Sequence, residues 1–166
     1  MIYLIRHGEP EGAGVLLGRL DPPLLARPLP MDLVVQSVFS SPLGRARQTA
    51  AALFPSITAQ VLDDLTEISL GEWDGLTWAE ILRRDPVLAE RKLSDWFGAA
   101  SPGGEDWAAI VSRAAAALRA IRDSARPAVV VAHVGINAVL WHLLTGEPAA
   151  EFRQAYLEVK THADMA

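Results

Sequence analysis

The stretch "PAVVVAH", residues 127–133, limits the possible folds of this chain more than any other. It runs apolar without alternation from Ala128 to Ala132 and carries three consecutive β-branched valines. Such a run is too short for a helix of its own, and a strand with no polar face must be covered on both sides. Parallel sheets inside α/β proteins supply that environment. The chain must therefore bring other strands alongside this one and helices onto both faces.

The remaining sequence provides them. "MIYLI" (1–5) reads as a second buried strand, broken at Gly8 and Pro10, and "DLVVQSVFS" (32–40) as a third. "AQVLDD" is a weaker fourth. Between them lie helical patterns. "LGRARQTAAALF" starts after Ser40, Ser41 and Pro42 and is stopped by Pro55. "LTWAEILRRD" ends before Pro86, and "VLAERKLSDWF" follows it. After the turn "SPGGED", Trp107, Ile110, Val111, Ala114, Leu118 and Ile121 keep helical spacing. "VGINAVLWHLL" comes last, with Gly146 as its cap. Residues 11–32 carry several Gly/Pro-bounded turns and read as one long irregular loop. Strands alternating with helices over 166 residues predict one domain spanning 1–166, an α/β fold built as a three-layer α/β/α sandwich around a mostly parallel sheet.

Charge and composition narrow the partners. The formal net charge of −5 argues against nucleic acid and against an anionic membrane surface. The absence of Cys removes disulfides, thiolate metal sites and thiol nucleophiles. "MIYLI" is too short for a signal-peptide core and no 18-residue apolar run exists, so a cytoplasmic location is the default expectation.

In open parallel sheets, ligands bind beyond the carboxyl ends of the strands. Arg6 and His7 follow the first strand, Ser41 and then Arg45 follow the "VFS" strand, and His133 follows the valine run. Two histidines and two arginines thus converge on one rim. Guanidinium forks match phosphate oxygens, and a neutral imidazole can attack phosphorus. Helix starts after Ser41 and His133 would aim amides at an anion. Arg47, two residues on from Arg45, faces away from it on the helix. A proton donor for the leaving alcohol is also required; Glu67 and Glu72 in "LTEISLGEWDG" are the candidates.

"LIRHGEP", "FSSPLGRARQTA", "LTEISLGEWDG", "SPGGED" and "VVVAHVG" occur in the order of the motifs of the histidine phosphatase superfamily, which the chain resembles over roughly residues 1–145. The resemblance implies an α/β/α sandwich with no cofactor and no metal requirement. It also implies a phosphorylated His7, a phosphoryl group held by Arg6, Arg45 and His133, and Glu67 rather than Glu72 as the proton donor. Gly8 would let the backbone pass close to the phosphate, and the Gly103–Gly104 turn would bring its amides near it. "LLGRLDPPL" and the small size resemble the α-ribazole phosphatase branch. Departures also stand out. Pro10 replaces a usual Thr, Ala13 stands where an Asn is expected, Val134 follows His133, and Pro28 and Pro30 interrupt a usual helix between Leu24 and Ser40.

The expected activity is hydrolysis of a small phosphomonoester through phospho-His7. The alternatives are a mutase-type phosphotransferase, disfavoured because so short a chain has little room for the usual insertion, and a phosphate-binding or regulatory domain that has lost turnover. A metallohydrolase using His7, His133 and Glu67 is weakened by the lack of HxH or HxxxH spacing. A neutral His7 is required, and Arg6 and Arg45 should hold its pKa below the ordinary ~6.5.

Overall fold

The structure is a computed structural model describing residues 1–12 and 14–163. Strand β4 (Ala128–Ala132) lies at the centre of one five-stranded sheet, in the order β3-β2-β4-β1-β5. Strands β1 (Ile2–Arg6) and β2 (Ser37–Ser40) flank it in parallel, pairing Leu4 with Val130 and Phe39 with Val130 on opposite sides. The two-residue β3 (Gln60–Val61) extends one edge, and β5 (Val159–His162) closes the other antiparallel to β1.

The valine run is buried for the reason its sequence implies. Ala128, Val130 and Ala132 join Ile2, Leu4 and Phe39 in a core beneath helices α4 (Trp107–Arg122) and α5 (Val134–Thr145). Val129 and Val131 point the other way, with Ile5 and Val38, against Ala50 and Leu53 of helix α1 (Gly44–Leu53). All five β4 residues are fully buried, so both faces of the strand contribute apolar burial. Helices α2 (Trp78–Arg84) and α3 (Pro86–Ser94) form a separate lobe over Trp73, Ile81 and Ala89.

One expectation needs correction. The strand expected from Asp32 begins only at Ser37, because Val34 and its neighbours run along the surface; Val34 is 84% exposed. The chain after Tyr156 supplies the edge strand β5. The interrupted segment between Leu24 and Ser37 does carry no helix, and Pro10 is held by an isolated bridge to Leu24. Ala13 lies outside the described residues. No helix among the described residues is long and apolar enough to cross a membrane.

Candidate active site

Three strands deliver three site segments to one rim. Beyond the regular pairing, the His7 amide donates to the Ala132 carbonyl (2.9 Å) and the Ser41 amide to the Val131 carbonyl (3.1 Å). These bonds carry the strands one residue further and place His7 beside His133, with ring centroids 4.9 Å apart.

The hydrogen bonds of His7 fix its tautomer. Nδ1 lies 2.6 Å from the Gly8 carbonyl, which can only accept, so Nδ1 carries the proton. Nε2 lies 3.2 Å from Nε of Arg45, which can only donate, so Nε2 holds a free electron pair. The ring is 4% exposed, and its pKa is pushed down to about 4, chiefly by burial and then by the charges of Arg45 and Arg6, against the pull of the Gly8 carbonyl. The direction matches the expectation; burial, not the arginines, is the larger cause.

His133 is fully buried at the start of α5. Its Nε2 meets Ser41 Oγ at 2.8 Å while Nδ1 has no partner. Burial first, and then the charges of Arg45 and His7, hold its pKa well below the ordinary value. Ser41 Oγ also accepts the Leu43 amide (3.2 Å), so one hydroxyl joins the histidine to the residue that caps α1.

Arg45 is 1% exposed, whereas Arg47 is exposed as its helical position requires. The Arg45 guanidinium donates to the carbonyls of Gly18 (3.0 Å) and Leu20 and pairs with Asp21 at 3.4 Å. The Asp21 carboxylate also accepts the Gly44 and Arg45 amides at 2.5 and 3.2 Å. It therefore takes the α1 amides expected to face an anion. Asp21 is a site residue the sequence reading missed; the loop must fold back before its proximity exists.

Arg6 donates from Nη1 to the Gln154 carbonyl (3.0 Å) and its guanidinium lies 3.8 Å from the centre of the Tyr156 ring. Its buried Nε has no partner. The tail is held in place by a buried amide pair. Asn137 Nδ2 donates to Gln154 Oε1 (2.9 Å), and Gln154 Nε2 donates to the Leu4 carbonyl (2.9 Å). Tyr156, its ring 5.6 Å from that of His7, was likewise not foreseen.

Glu67 sits against the start of α5. Its Oε1 accepts the Ile68 (2.8 Å) and Ile136 (3.1 Å) amides and its Oε2 the Gly135 amide (3.1 Å). Burial raises its pKa, and the three amides oppose the rise. A Cβ on Gly135 would stand 2.5 Å from Glu67 Oε1, so this position takes no side chain while the glutamate is in place. Behind Glu67, Glu105 accepts the Ser69 amide (2.8 Å) and pairs with Arg113 (2.8 Å). Arg113 in turn donates to the Asp64 and Thr66 carbonyls at 2.8 and 2.6 Å, bracing the loop from both sides.

Three glycines fall elsewhere than expected, while Glu72 stays away from the site. The Gly8 amide donates to Thr49 Oγ1 (2.9 Å) and the residue packs beneath Leu24 and Pro28, so it reaches the site only through its carbonyl on His7. Gly103 and Gly104 pack on the Ser69–Gly71 turn, where a Cβ on Gly71 would stand 2.2 Å from the Pro102 carbonyl oxygen. Glu72 pairs with Arg84 on the surface. Arg6, His7, Arg45 and Glu67 line one end of a cavity of about 580 Å³.

Residues 2–163 match the histidine phosphatase superfamily (branch 1), and the chain belongs to that family. It is 32% identical over 176 residues to the glucosyl-3-phosphoglycerate phosphatase of Mycolicibacterium vanbaalenii, covering 89% of this chain and 75% of that one. It is 41% identical over 81 residues to a bifunctional protein of Mycobacterium tuberculosis, covering 48% of this chain but 22% of that protein's length. The crystal structure of the alpha-ribazole phosphatase from Shigella flexneri superposes with a TM-score of 0.77 at 25% identity, covering 90% of this chain and 81% of that one.

Proposed function

We propose that the protein hydrolyses phosphomonoesters through a phosphohistidine at His7. One observation carries the reading: His7 is a neutral, buried imidazole whose Nε2 electron pair faces the arginine-lined end of a cavity. Attack by Nε2 on the substrate phosphorus forms an N–P bond as the P–O bond to the alcohol breaks. Arg6 and Arg45 bind the phosphoryl oxygens, the Arg45 Nε–H passing from Nε2 to an oxygen as substrate enters. His133, fully buried beside His7 and tied to Ser41, backs this set from behind the cavity wall.

Glu67 in its acid form protonates the departing alkoxide. Two amides fill Oε1 and one falls on Oε2, so the proton rides on the unfilled side of Oε2. In the second half-reaction the Glu67 carboxylate takes a proton from water, whose oxygen attacks phosphorus and breaks the N–P bond. Phosphate leaves, and His7 and Glu67 return to their starting forms. A nucleophile, an acid and two cationic phosphate ligands around one cavity support turnover over phosphate binding alone.

The test is hydrolysis of p-nitrophenyl phosphate in EDTA by wild type and His7→Ala, with acid-labile phosphate trapped on His7. The expected result is chelator-resistant activity that the substitution abolishes. Activity surviving in His7→Ala, or lost on chelation, refutes the reading.

A further inference from the structure

The cavity extends well beyond the reacting end, and what lines that extension differs in kind from what lines the phosphate end. Leu16 and Leu17 come from the loop after β1, Leu93 from the end of α3, Trp96 and Phe97 from the turn that follows it, and Phe152 from the tail. Among the described lining residues of this half, only Ser94 and Arg153 are polar, Tyr156 standing at the reacting end beside His7 and Arg6. Ser94 Oγ donates back to the Arg91 carbonyl of its own helix (2.9 Å). Arg153 Nη1 is turned onto the Ala150 and Phe152 carbonyls at 2.7 and 2.8 Å. No carboxylate faces this half, since Glu67 stands at the reacting end. Lys92, the nearby buried cation, is likewise directed away: its Nζ donates to the Ala99 carbonyl (2.7 Å) and fixes the turn that presents Trp96 and Phe97.

A bound polyol needs partners for its hydroxyls, and an amino acid needs a carboxylate for its ammonium group; unpartnered, each loses its hydration on entry. An apolar group instead gains by leaving water, and the aromatic side chains offer it flat surfaces. Resting on the phosphatase reading, we propose that the substrate is the phosphomonoester of an apolar, ring-bearing alcohol, whose ring occupies the Leu16–Trp96–Phe97–Phe152 wall while its phosphate meets His7. The volume of about 580 Å³ accommodates a phosphate and a ring system together.

The test compares kcat/KM for 2-phenylethyl phosphate, glycerol 3-phosphate and phosphoserine, all esters of primary alcohols and so of similar leaving-group character. p-Nitrophenyl phosphate serves as the control for turnover. The phenylethyl ester is expected to be favoured over both others by roughly tenfold or more. Leu93→Ser, at a position 63% exposed and so compatible with folding, is expected to narrow that ratio. Equal or better turnover of glycerol 3-phosphate or phosphoserine, with p-nitrophenyl phosphate still hydrolysed, overturns the apolar substrate and leaves the phosphatase standing. Failure to hydrolyse any of the four refutes the phosphatase. Calorimetry with 2-phenylethylphosphonate against methylphosphonate then reads the wall without turnover: tighter binding of the phenylethyl compound supports it, and equal affinity overturns it.

Discussion

Protonating His7 is the perturbation whose size follows most directly from this structure. The folded ring titrates at about 4 against an ordinary value of 6.5, so between these values the unfolded chain binds more protons than the folded one. Stability therefore rises with pH through this window: the contribution is complete above pH 6.5, and falls away as the pH drops toward 4. Linkage gives a loss of about 2 kcal/mol between pH 7 and pH 5, and about 3 kcal/mol once the folded ring is itself protonated. His133 shifts in the same direction, so wild type alone loses more than this. Comparing wild type with His7→Asn isolates the His7 share, because His133 is present in both. Urea unfolding at pH 7 and pH 5 should show wild type losing about 2 kcal/mol relative to the variant. The Nε2 nitrogen resonance should keep its unprotonated position down to pH 5. A His7 titration midpoint at or above 6.5, or parallel pH profiles for the two proteins, would refute the argument that burial holds this ring neutral.

Two further predictions concern the acid and its support. Glu67→Gln can neither give nor take a proton, so steady-state hydrolysis should fall roughly 10²–10⁴-fold. A burst of p-nitrophenol equal to the enzyme present should survive, because that leaving group departs without an acid; a loss under tenfold contradicts the role. Glu105→Ala strips Arg113 and the Ser69 amide of their acceptor in a region only 14–17% exposed. It should cost roughly 1–3 kcal/mol, read as a lower urea midpoint, together with a reduced kcat. An unchanged midpoint would show that the Glu67 loop does not depend on this pair.

The parts of the site legible in sequence are those fixed by local pattern. β1 and β4 announce themselves by short apolar runs, so Arg6, His7 and His133 could be assigned to strand ends, and Arg45 to the first turn of the helix after β2. Choosing Glu67 over Glu72 required a motif resemblance, since both are loop carboxylates and only tertiary contact separates the amide-bound one from the surface one. Asp21 and Tyr156 were illegible for a plainer reason. Each reaches the site through a segment with no periodicity, and each makes its decisive contact, with Arg45 or with Arg6, far away along the chain. Gly8 was expected to let the backbone pass close to a phosphate; here its carbonyl positions His7 and its amide serves Thr49, contacts that only the folded chain brings together.

Both helices that begin at the rim have their free amides met by carboxylates of the chain itself: Asp21 on α1, and Glu67 on α5. A helix start favours negative charge, so each carboxylate sits where a phosphate would otherwise be drawn. An incoming phosphoryl group is therefore left to the arginines and imidazoles, and it must compete with Asp21 for Arg45. For Glu67 the consequence differs. Burial favours the protonated form of this carboxyl, and three backbone amides favour the ionised one. Under the proposed mechanism the same group gives a proton in one half-reaction and takes one in the next. The opposition of burial and amides at the start of α5 leaves its pKa raised above the usual carboxylate value, the direction that suits a group asked to hold a proton before giving it.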